Sequence, residues 1–240
     1  MKIQVISTAQ QGKDFDYNGK IAVVIDVLRA TSVITTALDH GARSVVAVKT
    51  VEEAEQIYTS YREGTALRGG ERNAVKITGF DLGNSPLEYK SEVVSGKDII
   101  LTTTNGTNAI NNVGRAEMVL LACFRNMSAV ANCLLHRDKD LVIVCSGTEG
   151  RFSLDDGLCA GMLINMLRAK SETDCDDLAI LLERDYTAHA HNLFGSLVEC
   201  AHFRRLFTLG FYDDLRFCLQ TNCVQTIPIV ENGHIVVLKK

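Results

Sequence analysis

The stretch "VVIDVLRATSVITTAL", from Val23 to Leu38, decides how the rest of the chain is interpreted. It begins with β-branched and aliphatic residues, which are typical of a buried strand, and ends with small residues and leucine, which favour a helix. Asp26, Arg29 and Thr31 stand between these two parts. A carboxylate directly after a buried strand is unfavourable unless it is paired or binds a metal, so this junction is a candidate functional site.

Apolar runs of strand length alternate with helical patterns, which predicts an α/β fold with α/β/α layers and a mixed, mostly parallel sheet. The last two apolar runs flank Asn232-Gly233, a strong hairpin signal, so we expect an antiparallel end to the sheet. The segment from Thr65 to Ser91 has little periodicity and is predicted to be a long functional loop. We expect residues 1–240 to form a single unit, with the part from about residue 171 as a candidate second subdomain.

The predicted strands lie near Lys2–Ser7, Ile21–Leu28, Ser44–Val48, Asp98–Thr102, Met118–Ala122, Leu141–Cys145, Val224–Val230 and His234–Lys240. The predicted helices lie near Thr31–His40, Val51–Arg62, Gly106–Val113, Asn126–His136 and Leu154–Ala169, with further helical character over Asp176–Phe217.

Composition excludes several classes of protein. The net charge of −4 provides no general attraction to nucleic acid or acidic membranes, so any anionic ligand must be bound by local charges. No run approaches 18 uncharged apolar residues, and the N-terminus lacks the features of a signal peptide. The eight cysteines form no C-x-x-C pair and are expected to be free thiols, and the six histidines show no metal-binding spacing. We therefore expect a cytoplasmic protein.

Three segments share one order, a buried strand followed by a polar turn and a helix: "VVIDVLRATSVI", "IILTTTNGTNAI" and "VIVCSGTEGRFSLDDGLCAG". The carboxyl ends of parallel strands form the ligand crevice of open α/β sheets, and helix N-termini there favour anions. These turns predict a site for a small anion, although their hydroxyl groups alternatively serve only as helix caps.

Each carboxylate in these segments has two alternative roles, and so does the long loop. Asp26 either pairs with Arg29, or holds Mg²⁺ while Arg29 reaches a substrate oxyanion. Asp155 and Asp156 either bind metal or only complement a helix dipole. The loop "LRGGERNAVKITGFDLGNSPLEY" either exposes solvated charges or contacts a ligand.

The blocks "DVLRATSVITTAL", "GERNAVKITGFDLGNSP", "TTTNGTNAI", "CFRNMSAVA" and "CSGTEGRFSLDDGLCAG" resemble, in order, the signature blocks of the 2-phosphosulfolactate phosphatase (ComB) family. They cover about Ile21 to Gly161, roughly two-thirds of the chain. The resemblance implies an α/β fold particular to that family and a Mg²⁺-dependent phosphohydrolase. The implied reaction converts (R)-2-phospho-3-sulfolactate and water to (R)-3-sulfolactate and phosphate, a step toward coenzyme M in methanogens.

That substrate carries a phosphate, a carboxylate and a sulfonate, so a chain of net charge −4 must offset its charge locally. The catalytic candidates are Asp26, Arg29 and Cys145. The substrate-binding candidates are Arg68, Arg72, Asn84, Ser85, Thr103, Thr104, Asn105, Gly106, Thr107, Arg125, Thr148 and Arg151, with the backbone N–H groups of Thr103–Thr107 as further donors. The Mg²⁺ candidates are Asp26, Glu71, Asp81, Asp155 and Asp156. Cys145 and Arg151 satisfy C-x₅-R, so a cysteine nucleophile is an alternative to a water molecule oriented by Asp26.

Two rival functions stay open. The first is a phosphatase of the same fold that acts on another phosphorylated hydroxy-acid. The second is a non-catalytic anion-binding protein, against which the repeated carboxylates argue because they suit an anion site mainly when a cation is present. The expected partners are a small anionic phosphorylated substrate and a second copy of the chain, with the apolar C-terminal strands as the candidate dimer interface.

Overall fold

The computed structural model describes residues 1–137 and 139–239. Its strands are β1 (Lys2–Ile6), β2 (Ile21–Ile25), β3 (Ser44–Val48), β4 (Ala66–Arg72), β5 (Val75–Lys76), β6 (Asp98–Thr102), β7 (Met118–Ala122), β8 (Leu141–Cys145), β9 (Asp174–Cys175), β10 (Pro228–Glu231) and β11 (His234–Val237). Its α-helices are α1 (Ala9–Gly12), α2 (Ala30–Asp39), α3 (Val51–Tyr58), α4 (Ser91–Val94), α5 (Gly106–Asn112), α6 (Met127–Leu135), α7 (Leu154–Arg168), α8 (Asp177–His189), α9 (Leu193–Leu197), α10 (Ala201–Thr208) and α11 (Tyr212–Cys218).

The predicted α/β fold is confirmed, and the strands β3, β6, β7 and β8 have the predicted bounds. The strand order is β5-β4-β6-β3-β11-β10-β7-β2-β8-β1-β9. One group of parallel strands contains β4, β6 and β3, and the other contains β7, β2, β8, β1 and β9. The predicted last strand extends to Lys240, which lies outside the described residues.

The position of the C-terminal hairpin differs from the prediction. Strands β10 and β11 do pair antiparallel, but they lie in the middle of the sheet, where β10 pairs with β7 and β11 pairs with β3. Each link is a single residue pair, Ile229 with Leu120 and Ile235 with Val45. The hairpin covers the edges that the two parallel groups would otherwise leave unpaired. Since both of its own edges are occupied, it does not offer the dimer interface that we expected, and a dimer stays a prediction.

The core lies on both faces of the sheet, as expected for layers of helix, sheet and helix. All five residues of β2 are buried. Val23 and Ile25 pack into one cluster with residues of α6 and α7, whereas Ala22 and Val24 pack into another with residues of α2 and α5. Burial on both faces explains why this strand is a continuous apolar run. In the part of the chain that the structure describes, no helix is both long and apolar enough to cross a bilayer.

Strand β4 was not predicted, because its sequence "ALRGGER" lies inside the segment that we expected to be a loop. Two glycines allow this strand to approach its neighbours. A Cβ atom on Gly69 would lie 2.2 Å from the Tyr89 hydroxyl, and one on Gly70, where φ is +149°, would lie 2.1 Å from the carbonyl oxygen of Thr102. Close pairing with β6 therefore selects glycine, although glycine disfavours strands in isolation.

Helices α7 and α8 also depend on a close approach. A Cβ atom on Gly161 would lie 2.1 Å from the carbonyl oxygen of Leu182 in α8. We expect Gly161→Ala to lower the free energy of unfolding by about 2–3 kcal/mol, because the two helix backbones must separate. Urea unfolding measures this change. Gly114→Ala is the matched control, since the nearest atom to its Cβ would be 3.9 Å away; a similar loss in both variants would contradict the packing argument.

Candidate active site

The three strand-turn-helix segments meet at one cavity, as the sequence predicts. The cavity has about 490 Å³ of empty space and opens to solvent. Its lining combines the turns after β2, β6 and β8 with the end of β4, the segments on either side of β5, and helix α10. The lining residues are Asp26, Leu28, Arg29, Glu71, Asn73, Ala74, Asn84, Thr103, Thr104, Asn105, Thr148, Glu149, His202, Arg205 and Leu206.

Asp26 and Thr31 organise the junction between β2 and α2. The Asp26 Oδ1 atom accepts a hydrogen bond from the backbone N–H of Ala30 at 3.0 Å. The hydroxyl of Thr31 donates to the carbonyl oxygen of Asp26 and accepts from its N–H. The bond to Ala30 satisfies the first N–H of α2, where Arg29 provides no side-chain cap, and the three bonds together fix Asp26 at the cavity.

Three carboxylates, those of Asp26, Asp155 and Asp156, are buried near this junction. Burial raises the pKa of Asp26 to about 6, and the charges of Asp155 and Glu71 add to the rise. Burial and the charge of Asp155 also raise the pKa of Asp156, although its two oxygens accept hydrogen bonds from the N–H groups of Val27 and Gly147, each at 2.9 Å. Asp156 therefore joins the turns after β2 and β8 rather than lining the cavity.

His202 of α10 lies over Asp155. Its Nδ1 atom is 3.0 Å from the Thr148 hydroxyl oxygen and 3.7 Å from Asp155 Oδ2. Burial acts to raise the pKa of Asp155, but the contacts with His202 and Ser153 outweigh it and the pKa is lowered. Burial acts to lower the pKa of His202, but Asp155 outweighs it and the pKa is raised. The imidazole is thereby held in place with its protonated form favoured.

Glu71, near the end of β4, bonds both to the segment after that strand and to the turn after β6. Its Oε1 atom accepts from the N–H and the hydroxyl of Thr104, and its Oε2 atom accepts from the N–H of Ala74 at 2.6 Å. The N–H groups of Thr103 and Thr107 bond to each other's hydroxyl oxygens. Three of the backbone donors that we expected to face a phosphate are thus bonded within the protein, because the turn needs them for its own geometry.

Arg29 does not make the predicted pair with Asp26. Its Nη1 atom is 2.5 Å from Oδ2 of Asp214 in α11, and its guanidinium lies 4.0 Å above the ring centre of Phe211. The other oxygen of Asp214 accepts a hydrogen bond from the Ser85 hydroxyl at 2.7 Å. Both members of the ion pair are buried, at 2% and 5% exposure of their side chains. Arg29 lines the cavity, but its charge is already offset.

The other predicted arginines lie outside the cavity, and three of them have separate structural contacts. Arg68 pairs with Glu55 and Asp81, and Arg72 bonds to the Thr102 hydroxyl at 2.9 Å. Arg125 lies 3.7 Å above the ring centre of Phe217, and Arg151 is exposed.

The remaining candidates divide in the same way. Asn84, Thr103, Thr104, Asn105 and Thr148 line the cavity, whereas Ser85, Gly106 and Thr107 are buried and do not line it. A Cβ atom on Gly106 would lie 2.6 Å from Asp26 Oδ2, so this glycine is required beside the carboxylate. Cys145 is the buried last residue of β8, and burial raises the pKa of its thiol well above its usual range. This burial argues against a thiolate nucleophile.

The sequence analysis missed the contribution of α10 and of Glu149. The amphipathic pattern of "AHFRRLF" is typical of core packing, which is correct for Phe203 and Leu206, but His202 and Arg205 on the same helix line the cavity. The amphipathic pattern indicates which face of the helix is buried. It does not indicate what the polar residues beside that face contact.

The chemistry of the cavity fits Mg²⁺. Asp26 and Glu71 line it, and the buried Oδ1 atom of Asn84 has no hydrogen-bond partner among the described residues. Mg²⁺ prefers such oxygen atoms, and usually binds one or two carboxylates together with water and substrate phosphate. Over residues 1–137 and 139–239, no three acidic, histidine or cysteine side chains form a metal centre by themselves. Asp81, Asp155 and Asp156 do not line the cavity, so the residues suited to the ion are Asp26, Glu71 and Asn84.

The fold and the cavity define an α/β protein with a polar cavity at the ends of its parallel strands, whose carboxylates suit a divalent cation. The chain belongs to the 2-phosphosulfolactate phosphatase family, because the sequence model of the 2-phosphosulpholactate phosphatase family matches residues 6–233.

Curated relatives agree with this assignment. The chain is 46% identical over 233 residues to a probable 2-phosphosulfolactate phosphatase of Caldanaerobacter subterraneus subsp. tengcongensis. The aligned residues cover 97% of this chain and 97% of the relative. It is 43% identical over 237 residues to one of Clostridium perfringens (strain SM101), covering 98% of this chain and 96% of the relative. It is 41% identical over 235 residues to one of Clostridium tetani, covering 98% and 100%.

The ion pair of Arg29 with Asp214 yields a stability prediction. We expect Asp214→Asn to lower the free energy of unfolding by about 3 kcal/mol, because it leaves a buried guanidinium without its counter-charge while keeping one acceptor. Urea unfolding measures the change. Asp213→Asn is the matched control, because Asp213 is the exposed neighbour in the same helix turn. An equal and small effect in both variants would show that the pair contributes little.

The raised pKa of Asp26 predicts a pH-dependent effect in metal-free protein. The folded-state pKa of about 6 exceeds the ordinary value of 3.8, so ionisation of Asp26 destabilises the fold increasingly as pH rises from about 4 to about 6. In EDTA we expect Asp26→Asn to be more stable than the wild type by about 1–3 kcal/mol at pH 7.5, and to lose most of this gain at pH 4. Urea unfolding at both pH values measures it, with the exposed Asp14→Asn as control. A gain that did not change with pH would contradict the prediction.

Proposed function

We propose that this chain is a phosphoric monoester hydrolase that converts (R)-2-phospho-3-sulfolactate and water to (R)-3-sulfolactate and phosphate with the aid of Mg²⁺. Membership of the family and the names of its close relatives support the reaction. The observation that carries the proposal is the meeting of three strand-turn-helix segments at one cavity that contains both carboxylates and cationic side chains.

The charges of the cavity support a requirement for a cation. Asp26 and Glu71 are acidic, Glu149 is paired with Arg205, and the charge of Arg29 is offset by Asp214. A substrate with three anionic groups would be repelled by these carboxylates if no positive ion were bound between them. The same carboxylates disfavour a purely anion-binding protein, which would have no use for them.

The side chains of this cavity have separable roles in the proposed reaction. Asp26, Glu71 and the amide oxygen of Asn84 would hold Mg²⁺, which supplies positive charge to the transferring phosphoryl group. Asn105, His202 and Arg205 offer donors to the oxyanions of the substrate. Because the buried contacts of Asp155, Asp156 and Asp214 fix the turns and α10, these donors are positioned before the substrate arrives.

The cytoplasm is the proposed compartment. All eight cysteines are free thiols in the structure, which is typical of proteins in a reducing environment.

Phosphate release from racemic 2-phosphosulfolactate and from 2-phospholactate, each with Mg²⁺ and with EDTA, tests this function. We expect release that depends on Mg²⁺ and is faster with the sulfonate. Asp26→Asn should lower kcat/KM by about 100-fold or more, because it removes a charged ligand from the reacting centre. Asp81→Asn is the matched control, since Asp81 is exposed and bonds to Arg68 outside the cavity.

A second measurement separates metal binding from turnover. Mg²⁺ should raise the Tm of the wild type and of Asp81→Asn more than that of Asp26→Asn, because only a ligand that binds the folded state stabilises it. Equal release from both substrates would retain the hydrolase and reject the preference for the sulfonate. No release from either substrate by the wild type would overturn the proposed function.

A further inference from the structure

The cationic side chains of the cavity are fewer than the sequence indicated. In the described residues, the arginines that line the cavity are Arg29 and Arg205. Arg29 is 2% exposed, pairs with Asp214 and stacks on Phe211, so its charge is already offset and its guanidinium is held in place. Arg205 is therefore the arginine available to an anion that enters the cavity.

Arg205 lies at the mouth of the cavity on α10. Its Nη1 atom donates to Glu149 Oε1 at 2.8 Å, across the opening between α10 and the turn after β8. The two side chains are 38% and 66% exposed. An exposed ion pair of this kind contributes only about 0–1 kcal/mol, so another anion exchanges with Glu149 at little cost.

The turn after β8 holds Glu149 in this position. Glu149 has a φ of +53°, a left-handed conformation that a non-glycine residue seldom adopts, and it stands between Gly147 and Gly150, which also have positive φ. The backbone of Thr148 pairs with that of Arg151, and the N–H of Glu149 donates to Asn105 Oδ1 at 3.3 Å. A left-handed residue held by its neighbours at a cavity mouth suggests a functional reason for its placement.

We propose that Arg205 is the specificity-determining residue of this cavity, that it binds the sulfonate of the substrate, and that Glu149 occupies its guanidinium until the substrate arrives. The inference rests on the proposed function. The sulfonate sulfur is one bond further from the phosphorylated carbon than the carboxylate carbon is, so the sulfonate reaches furthest from the reacting phosphate. A guanidinium binds such an oxyanion through two parallel hydrogen bonds and is weakly hydrated, which favours arginine over lysine.

Arg204 provides a matched control on the same helix. It is exposed and lines a neighbouring surface depression with Asn73 and Leu209 rather than the cavity. Removing its charge changes the net charge of the protein as much as removing that of Arg205 does. A difference between the Arg205 and Arg204 variants therefore measures the contact of Arg205 with the substrate, and not a change in the overall charge of the protein.

The test compares kcat/KM for 2-phosphosulfolactate and 2-phospholactate in the wild type, Arg205→Gln, Arg205→Lys and Arg204→Gln. We expect Arg205→Gln to lower kcat/KM about 10- to 100-fold more for the sulfonate substrate than for 2-phospholactate. This is the size of effect expected when hydrogen bonds to a charged group are lost. Arg205→Lys should recover part of this loss, and Arg204→Gln should keep the wild-type ratio. Glu149→Gln should lower KM for the sulfonate by about 2- to 5-fold with little change in kcat, because Arg205 is released from its partner.

Equal losses with both substrates in Arg205→Gln, or no loss with either, would overturn the assignment. Calorimetric binding of 3-sulfolactate, which lacks the phosphate, separates this inference from the proposed function. If the wild type released no phosphate but bound 3-sulfolactate in an Arg205-dependent and Arg204-independent way, the hydrolase proposal would fail and the sulfonate contact would stand. If the wild type hydrolysed both phosphate esters and Arg205→Gln bound 3-sulfolactate as tightly as the wild type, the sulfonate contact alone would fail.

Discussion

The buried ion pair between Arg29 and Asp214 is the contact on which the cavity depends. Arg29 lies in the turn between β2 and α2, whereas Asp214 lies in α11, 185 residues further along the chain. Ser85, from the segment after β4, bonds to the second oxygen of Asp214. The pair therefore joins three distant segments, and the stacking of Arg29 on Phe211 fixes α11 beside the turn. Helix α10 packs against α11 and is thereby placed with His202 and Arg205 at the cavity.

Three adjacent carboxylates are made compatible with burial by three different kinds of partner. Asp156 accepts hydrogen bonds from two backbone N–H groups, and Asp155 lies against Ser153 and His202. Asp26 accepts one backbone hydrogen bond and faces the cavity. This one hydrogen bond does not fully offset the cost of burying the charge, so the pKa of Asp26 is raised. A divalent cation would complete this compensation, which connects the energetics of this carboxylate with the proposed chemistry.

The arginines show why residue type and position in a motif do not establish a role. Five arginines in or beside the family blocks suggested five contacts to an anionic substrate. Four of them, Arg68, Arg72, Arg125 and Arg151, lie outside the cavity, and the fifth, Arg29, is held by Asp214. The available guanidinium belongs to Arg205, in a helix whose sequence pattern indicated only packing. An arginine offers both a long apolar stem and a forked cation, so stacking and ion pairs compete with substrate binding for it.

The sequence by itself determined the α/β class, the strands that are continuous apolar runs, and the three polar turns that meet at the cavity. These features follow from local periodicity and from the chemistry of residues that are close in the chain. The tertiary structure decided the pairing of the glycine-containing β4, the central place of the C-terminal hairpin, and which charged side chains face the cavity. Each of these depends on a partner far along the chain, such as Thr102 for Gly70 or Asp214 for Arg29, and no local pattern carries that information.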